Sequence, residues 1–238
     1  MDGGKQGRVK DVFSAIAQRY DLLNSLLSFG LHRRWRRASL ILAGGVSPGA
    51  RALDLCCGTG DYIREVLRLS GGTAQVFGVD FSHEMLAVAA RRLTHEISAG
   101  SVKLLLGDVT DLSFLEPASC DLATIGFGLR NLDDVPAALR GARRALKPGA
   151  PLVSLELCRP FPPLVAPVLR FHLRAVVPAL GALVAGKLRA YQWLYESLRT
   201  FPDRRELARM LTDAGYAPPQ EFTFGLGAVV AHIARPAC

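Results

Sequence analysis

The chain has 238 residues, of which 50% are hydrophobic, and this length is ample for one large α/β domain. Lys and Arg number 29 against 21 Asp and Glu, and the net charge of +8 favours anionic partners such as nucleic acid, acidic lipid or an acidic substrate. The five cysteines are odd in number and include no Cys-x-x-Cys pair, and no apolar signal segment opens the chain. We therefore expect a cytoplasmic protein with reduced thiols.

The first part of the chain has the apolar periodicity of amphipathic helices, over residues 9–42, interrupted at residues 28–30. The segment His32–Arg37 then places four arginines around Trp35. Such a charge run is usually a solvated helix face. The alternative is a contact with an anionic headgroup or substrate, with Trp35 at an interface. Because these helices precede the first predicted strand, we expect residues 9–43 to lie over a ligand site as a helical lid.

A strand, a glycine turn and a helix follow in that order over Arg51–Asp61. The apolar run Ala52–Cys57 has strand length and breaks into Gly58, Thr59 and Gly60, after which apolar residues recur at helical spacing. The glycines let the backbone approach a bound molecule, and the new helix points free N–H groups at it. On its own, this motif is equally typical of a tight turn without a ligand.

The second strand strengthens the case for a nucleoside. Gln75–Val79 is apolar and ends at Asp80, about 20 residues beyond the glycines, where doubly wound folds place an acid on a ribose. A dinucleotide fingerprint would need a third glycine or alanine where this chain has Ile63. A nucleoside without a pyrophosphate indicates S-adenosylmethionine rather than a nicotinamide dinucleotide.

Strands and helices alternate regularly beyond this point. Ser82 can cap one helix, another centres on residues 135–146, and strands are predicted at Val102–Leu106, Asp121–Gly126 and Leu152–Leu157. This order predicts a Rossmann-like α/β fold with a doubly wound, mostly parallel sheet and right-handed crossovers. Ligands of such sheets bind at the carboxyl ends of the strands. Gly58, Asp80, Asp108 and the turn at residues 127–131 converge there.

The pattern changes after residue 158. Residues 159–186 are apolar and proline-rich, but the longest uncharged piece, Ala175–Gly186, is shorter than the ~20 residues of a spanning helix. A buried helix and a cover over an apolar ligand both fit. Asp203 then begins a helix, and Glu221–Phe224 with Ala228–Ile233 predict a closing hairpin at the sheet edge. We expect one domain over residues 1–238, divided into a lid (9–43), a cofactor-binding core (51–158), an acceptor-side helical insertion (159–200) and a closing helix and hairpin (203–234).

Several motifs together resemble a known family over residues 9–233. They are Arg19–Asn24, residues 28–30 with His32 and Trp35, Asp54–Asp61, Gly126–Asn131, Leu146–Gly149, and Glu196–Arg199 with Phe201 and Pro202. The chain resembles the class I S-adenosylmethionine-dependent C-methyltransferases that methylate prenylated quinone precursors in menaquinone and ubiquinone biosynthesis. The segments Phe-Gly-Leu-Arg-Asn and Tyr-Asp-x-x-Asn are the most specific. Ala150 stands where a second glycine is common, and the C-terminus lacks the usual aromatic-basic ending.

The resemblance implies methyl transfer from S-adenosylmethionine to a ring carbon of a prenylated quinol. The motif sequences are most similar to those of menaquinone-pathway members, so the expected quinol is demethylmenaquinol. The alternatives are the ubiquinone precursor and another lipid or natural-product phenol. It also implies that Thr59, Asp80, Asp108 and Val109 contact the cofactor, with Asp80 on the ribose hydroxyls and Asp108 on the adenine amine. The candidate cofactor-binding residues are Asp54, Gly58, Thr59, Gly60, Asp80, Phe81, Asp108, Val109 and Gly126; Gly58 and Gly60 are expected to admit the methionine moiety.

The candidate catalytic residues are Arg130, Asn131, His32 and Tyr20. Alignment of the ring carbon with the sulfonium methyl can supply ~7–11 kcal/mol, and a cation can support the developing phenolate. Arg130 is cationic at physiological pH and fits that role, the alternative being a salt bridge that holds the lid. His32 and Tyr20 are rival proton acceptors. No metal site is expected.

A prenylated acceptor lives in a bilayer, so the expected partners are the quinol and an anionic membrane surface. The protein is expected in the cytoplasm, peripheral on the inner face of the cell membrane. The sequence leaves open whether it forms a homodimer. The competing hypothesis is a basic nucleic-acid-binding module on the same fold. We do not expect nucleic acid, because the arginines lie beside apolar segments rather than in a tract interleaved with exposed aromatics.

Overall fold

The computed structural model describes residue 17, residues 20–157, 166–176, 197–198 and 200–237. Within those ranges seven strands form one sheet in the order β3-β2-β1-β4-β5-β7-β6. The strands are β1 (Arg51–Leu55), β2 (Gln75–Asp80), β3 (Val102–Leu106), β4 (Leu122–Gly126), β5 (Leu152–Leu157), β6 (Gln220–Phe224) and β7 (Val229–Ala234). The helices are α1 (Tyr20–Leu27), α2 (Leu31–Leu42), α3 (Asp61–Leu69), α4 (His83–Arg92), α5 (Thr94–Ser98), α6 (Val135–Ala145), α7 (Ala166–Phe171) and α8 (Arg204–Asp213).

The sheet has the predicted topology. Strands β1 to β5 pair in parallel, while β7 is antiparallel to both β5 and β6. The strand order reverses between β1 and β4, the crevice where doubly wound sheets bind their ligands. The predicted Rossmann-like α/β class, including the closing hairpin, is therefore confirmed.

Hydrophobic residues on the two faces of the sheet form two core clusters. On one face α2, α3 and α4 contribute Leu40, Ile63 and Leu86. On the other face α6 and α8 contribute Leu139 and Leu211. Strands β1, β4, β5 and β7 are buried on both faces, which explains why they are mostly continuous apolar runs rather than alternating ones.

Helix ends carry the local signals that the sequence predicted. The Ser82 hydroxyl accepts from the backbone N–H of Met85 and caps α4. Asp203 and Glu206 form a reciprocal capping box at the start of α8. These contacts satisfy N–H groups that a helix start otherwise leaves without partners.

The N-terminal segment divides into two parts. Helix α2 packs on the sheet, since Leu40 is fully buried and the Ser39 hydroxyl lies 2.8 Å from the Tyr62 hydroxyl of α3. The expected lid over residues 9–43 thus includes a helix that belongs to the core layer. Helix α1 lies at the ligand edge instead, through contacts of Asp21 described below.

Much of the expected insertion over residues 159–200 lies outside the described residues. Helix α7 continues into a short π-helical turn, His172–Val176. In the part of the chain that the structure describes, none of the helices is both long and apolar enough to cross a bilayer.

Candidate active site

The turn after β1 is built around Asp80. Its Oδ2 accepts from the backbone N–H of Gly58 at 2.8 Å, and its Oδ1 accepts from the N–H of Ser82 at 2.9 Å. The carboxyl is 5% exposed, and burial raises its pKa against the opposing effect of these hydrogen bonds. Asp80 therefore joins the ends of β1 and β2 while its remaining lone pairs stay available for a ligand.

The two glycines of this turn serve different purposes. Both have left-handed backbones, with φ +53° at Gly58 and +84° at Gly60. A Cβ added at Gly58 would meet only the Cys56 carbonyl oxygen, at 4.0 Å, so this side of the turn is open to a ligand. A Cβ at Gly60 would lie 2.9 Å from Leu93 Cδ1, inside the core. Gly60 therefore has a packing reason to lack a side chain, and its contact with the methionine moiety stays a prediction.

Two non-glycine residues with left-handed backbones lie directly after β1 and β4. Cys56, predicted as the penultimate residue of a strand, instead follows the end of β1 with φ +54°. Phe127, directly after β4, has φ +60°. Non-glycine residues rarely adopt this conformation, and they are found preferentially at ligand sites. Both residues line the same cavity.

That cavity lies at the carboxyl ends of β1, β2 and β4. It is lined by Cys56, Gly58, Asp80, Phe81, Met85, Gly126, Phe127, Gly128 and Asn131. A second cavity shares Phe81 and Asn131 and continues past Asp108 and Val109. The order of groups fits S-adenosylmethionine: an open glycine turn, then the Asp80 carboxylate, then Phe81 and Asp108 where an adenine would lie.

Asp54 and Thr59 are also at the turn, but their side chains already have protein partners. Asp54 is 2% exposed and accepts from the Thr124 hydroxyl at 2.7 Å; burial raises its pKa to about 7. The Thr59 hydroxyl donates to Asp21 Oδ1 of α1 at 2.6 Å. Both side chains are therefore engaged within the protein, and their contact with the cofactor stays a prediction.

Asp21 also ties α1 to the rest of the edge through Arg92. The Arg92 guanidinium donates to Asp21, to the Thr59 carbonyl at 3.0 Å and to Asp61 Oδ1 at 3.0 Å. Burial opposes ionisation of Asp61, but the His32 ring and the Arg36 and Arg92 guanidiniums hold its pKa well below the usual range. This network of charged side chains lies beside the glycine turn at residues 58–60.

Arg130 has a buried partner that the sequence did not indicate. Its Nη1 donates to Glu156 Oε2 at 3.1 Å, and Glu156 Oε1 accepts from the Leu129 N–H at 2.8 Å. Arg130 Nε is buried without a hydrogen-bond partner among the described residues. The guanidinium of Arg36 lies 5.2 Å and that of Arg130 5.9 Å from the centre of the Phe127 ring. Two buried cations therefore lie close to Phe127, a residue of the cavity wall, although neither guanidinium lines the cavity itself.

The remaining candidate catalytic residues occupy different places. His32 is buried; its Nδ1 lies 2.8 Å from Arg36 Nη1 and its Nε2 3.3 Å from the Ser25 hydroxyl. A guanidinium can only donate, so Nδ1 accepts in this contact, while the same nitrogen lies 3.4 Å from Asp61 Oδ2. His32 thus belongs to the network around Asp61, and its role as a proton acceptor stays a prediction. Asn131 lines both cavities, so it lies beside the proposed cofactor site, and its catalytic role stays a prediction. Tyr20 begins α1, but its side chain is outside the described residues.

The fold and this edge define a class I methyltransferase. A putative S-adenosylmethionine-dependent methyltransferase from Methanococcus maripaludis superposes with a TM-score of 0.67, covering 93% of this chain and 92% of its own at 15% identity. At that identity the likeness shows the fold alone.

The chain belongs to the ubiE/COQ5 methyltransferase family, whose model matches residues 1–235. A demethylmenaquinone methyltransferase from Bacillus cytotoxicus is 38% identical over 231 residues, which cover 96% of each chain. A protein of the same name from Staphylococcus aureus is 38% identical over 226 residues, covering 95% of this chain and 92% of its own. The protein is therefore an enzyme that takes its methyl group from S-adenosylmethionine.

Proposed function

We propose that this methyltransferase methylates a ring carbon of a prenylated quinol, and that the quinol is demethylmenaquinol. The observation that carries this proposal is the likeness, over at least 92% of each chain, to two proteins named demethylmenaquinone methyltransferase. The geometry of the edge is compatible with it, because the cavity beside Gly58 and Asp80 includes Phe127, whose ring lies near two buried guanidiniums.

Bound S-adenosylmethionine would supply an electrophilic methyl group. In this proposal Asp80 accepts from its ribose hydroxyls, Gly58 lets its methionine part approach the turn, and Asp108 accepts from its adenine amine. Phe81 and Asn131 line both cavities, so in this proposal they lie between the part that takes the ribose and the part that takes the adenine.

The proposed role of Arg130 is to bind the oxygen of the quinol beside the carbon that is methylated. Its Nη1 is held by Glu156, while its buried Nε–H has no partner among the residues described and can donate to that oxygen. A cation there favours the phenolate, which pushes electron density onto the ring carbon. Glu156 fixes the orientation of the Arg130 guanidinium. Its negative charge also partly balances the positive charge of that guanidinium, which would otherwise repel the sulfonium of the cofactor.

We infer that three exposed apolar side chains, named the apolar rim here, lie at the mouth of this edge and favour an acceptor drawn from a membrane. The rim consists of Phe29, Phe171 and Leu226, which are 83%, 65% and 75% exposed. Phe29 lies against the His172 ring that follows α7, with ring centres 6.4 Å apart, and Leu226 follows Gly225, which packs on Trp35 of α2. Exposed aromatic and aliphatic side chains around a site for a prenyl chain fit reversible binding to a bilayer surface.

The direct cellular test is mass spectrometry of quinones in cells that lack this chain. The proposal predicts accumulation of demethylmenaquinone and its disappearance when the wild-type chain is restored. Accumulation of a demethylated ubiquinone precursor instead would assign the enzyme to that pathway, and an unchanged quinone profile would contradict a quinol acceptor.

A further inference from the structure

A basic groove lies away from the cavities described above, between α2, α3 and α5. It encloses about 720 Å³ and is lined by Arg33 and Arg37 of α2, Arg64 and Arg68 of α3, and His95 of α5. On each of the first two helices the arginines are four residues apart, so they lie on one helix face. Two arginine pairs on neighbouring helices therefore face one groove.

The carboxylates of the groove are too few to neutralise these arginines. Glu65 accepts from Arg37 Nε at 2.9 Å and Nη2 at 3.3 Å, and the same carboxylate lies 3.5 Å from Arg68 Nε. One negative charge thus serves two guanidiniums. Asp61, at the end of the groove, is already engaged by Arg36 and Arg92 from outside it.

Arg33 and Arg64 are the unneutralised cations of the groove. Both are exposed, and neither has an ion pair or side-chain hydrogen bond with another described residue. Glu96 also lines the groove but pairs with neither of them. Two guanidiniums without a partner among the described residues line one concave surface, so an anion with several oxygens can accept from both.

The chemistry of the lining fits a phosphate group, whose several oxygens can accept from more than one guanidinium. A guanidinium presents a planar fork of donors that matches phosphate oxygens. The other lining residues are small or aliphatic, among them Gly71, Gly72 and Ala99, and include no Phe, Tyr or Trp on which a nucleic-acid base would stack.

We propose that this groove binds a phosphate-bearing anion through Arg33 and Arg64. The anion is either a free diphosphate-like ion or the headgroup of an acidic phospholipid. The proposal does not rest on the identity of the methyl acceptor, because neither arginine lines the cavities at the carboxyl edge.

The test compares two double variants with the same loss of charge. Arg33→Gln/Arg64→Gln removes the proposed ligands, and Arg140→Gln/Arg209→Gln removes two exposed arginines of α6 and α8 as a control. Binding is measured by calorimetry with inorganic pyrophosphate, and by co-sedimentation with vesicles of phosphatidylglycerol or of phosphatidylcholine. Thermal unfolding and S-adenosylmethionine affinity, expected to be unchanged in both variants, check the fold.

The groove variant should lose at least about tenfold in affinity for the phosphate source that the wild type binds, as expected when charge-assisted contacts are removed. The control should retain that affinity. Loss of pyrophosphate binding alone identifies a free anion, and loss of phosphatidylglycerol binding alone identifies a lipid headgroup. Equal losses in both variants would overturn the proposal, as would a wild type that binds neither probe or that binds single-stranded RNA more tightly than both.

Discussion

Arg130 and Glu156 form a buried ion pair across the carboxyl ends of β4 and β5, with 3.1 Å between Nη1 and Oε2. Their side chains are 7% and 1% exposed. Glu156 also accepts from the Leu129 N–H, so the pair fixes both the guanidinium and the turn that carries it. The pair is therefore structural and, in our proposal, also part of the acceptor site.

Removing one member of this pair should destabilise the fold more than removing both. Arg130→Met leaves the Glu156 carboxylate buried without its cation, a change that costs about 3–5 kcal/mol of unfolding free energy. Arg130→Met/Glu156→Gln should recover part of that loss. Denaturant unfolding of the two single variants and the double variant measures the coupling. Losses that simply add would show that the pair does not act as a unit.

Asp80 should contribute to cofactor affinity through both its charge and its position. Asp80→Ala removes the acceptor for Gly58 and Ser82 as well as the proposed ribose contact, and should weaken S-adenosylmethionine binding by about 2 kcal/mol or more. Asp80→Asn keeps one acceptor oxygen and should lose less. Calorimetry with the purified variants measures both. Unchanged affinity in both would place the nucleoside elsewhere.

Asp54 should make stability depend on pH. Its pKa in the folded protein, about 7, is above the usual 3.8, because burial disfavours the charged form. Folding therefore favours the protonated carboxyl. The stability that this group contributes is fully present below pH 3.8 and is lost as the pH rises through about 7. The unfolding free energy of Asp54→Asn should therefore rise relative to that of the wild type as the pH rises from about 5 to about 8. A constant difference across that range would contradict the buried-acid account.

The apolar rim should govern binding to neutral membranes. Phe29→Ser/Phe171→Ser should weaken partition into phosphatidylcholine vesicles by about tenfold, since each change removes apolar area that insertion would bury. Ile41→Ser/Phe114→Ser removes two comparably exposed side chains outside the rim and serves as the matched control. Co-sedimentation at raised salt isolates the apolar contribution. Equal partition of the two variants would remove the rim from the proposal.

The sequence predicted the strands and the binding edge because these follow from local signals. Apolar runs bounded by turn residues marked all seven strands, and the carboxyl-end rule placed Gly58, Asp80 and Asp108 together. The cavities lie at that edge.

Other parts of the site depend on contacts between distant residues. Asp21 and Arg92 are 71 residues apart, and no local pattern links them. Glu156 is the penultimate residue of the apolar strand β5, and only the pairing of β4 with β5 brings it to Arg130. Which atoms a Cβ at position 60 would meet likewise depends on tertiary packing, here on the position of Leu93.

The central claim, that the enzyme methylates a quinol with Arg130 at the acceptor, is tested most directly by transfer of a deuterated methyl group. Wild type and Arg130→Lys are each incubated with labelled S-adenosylmethionine and reduced demethylmenaquinol, and the products are analysed by mass spectrometry. We predict label on the naphthoquinol ring with the wild type. Turnover should fall strongly in Arg130→Lys with cofactor affinity nearly intact, because an ammonium cannot reproduce the guanidinium fork. Absence of label on the quinol, or normal turnover in Arg130→Lys, would contradict the claim.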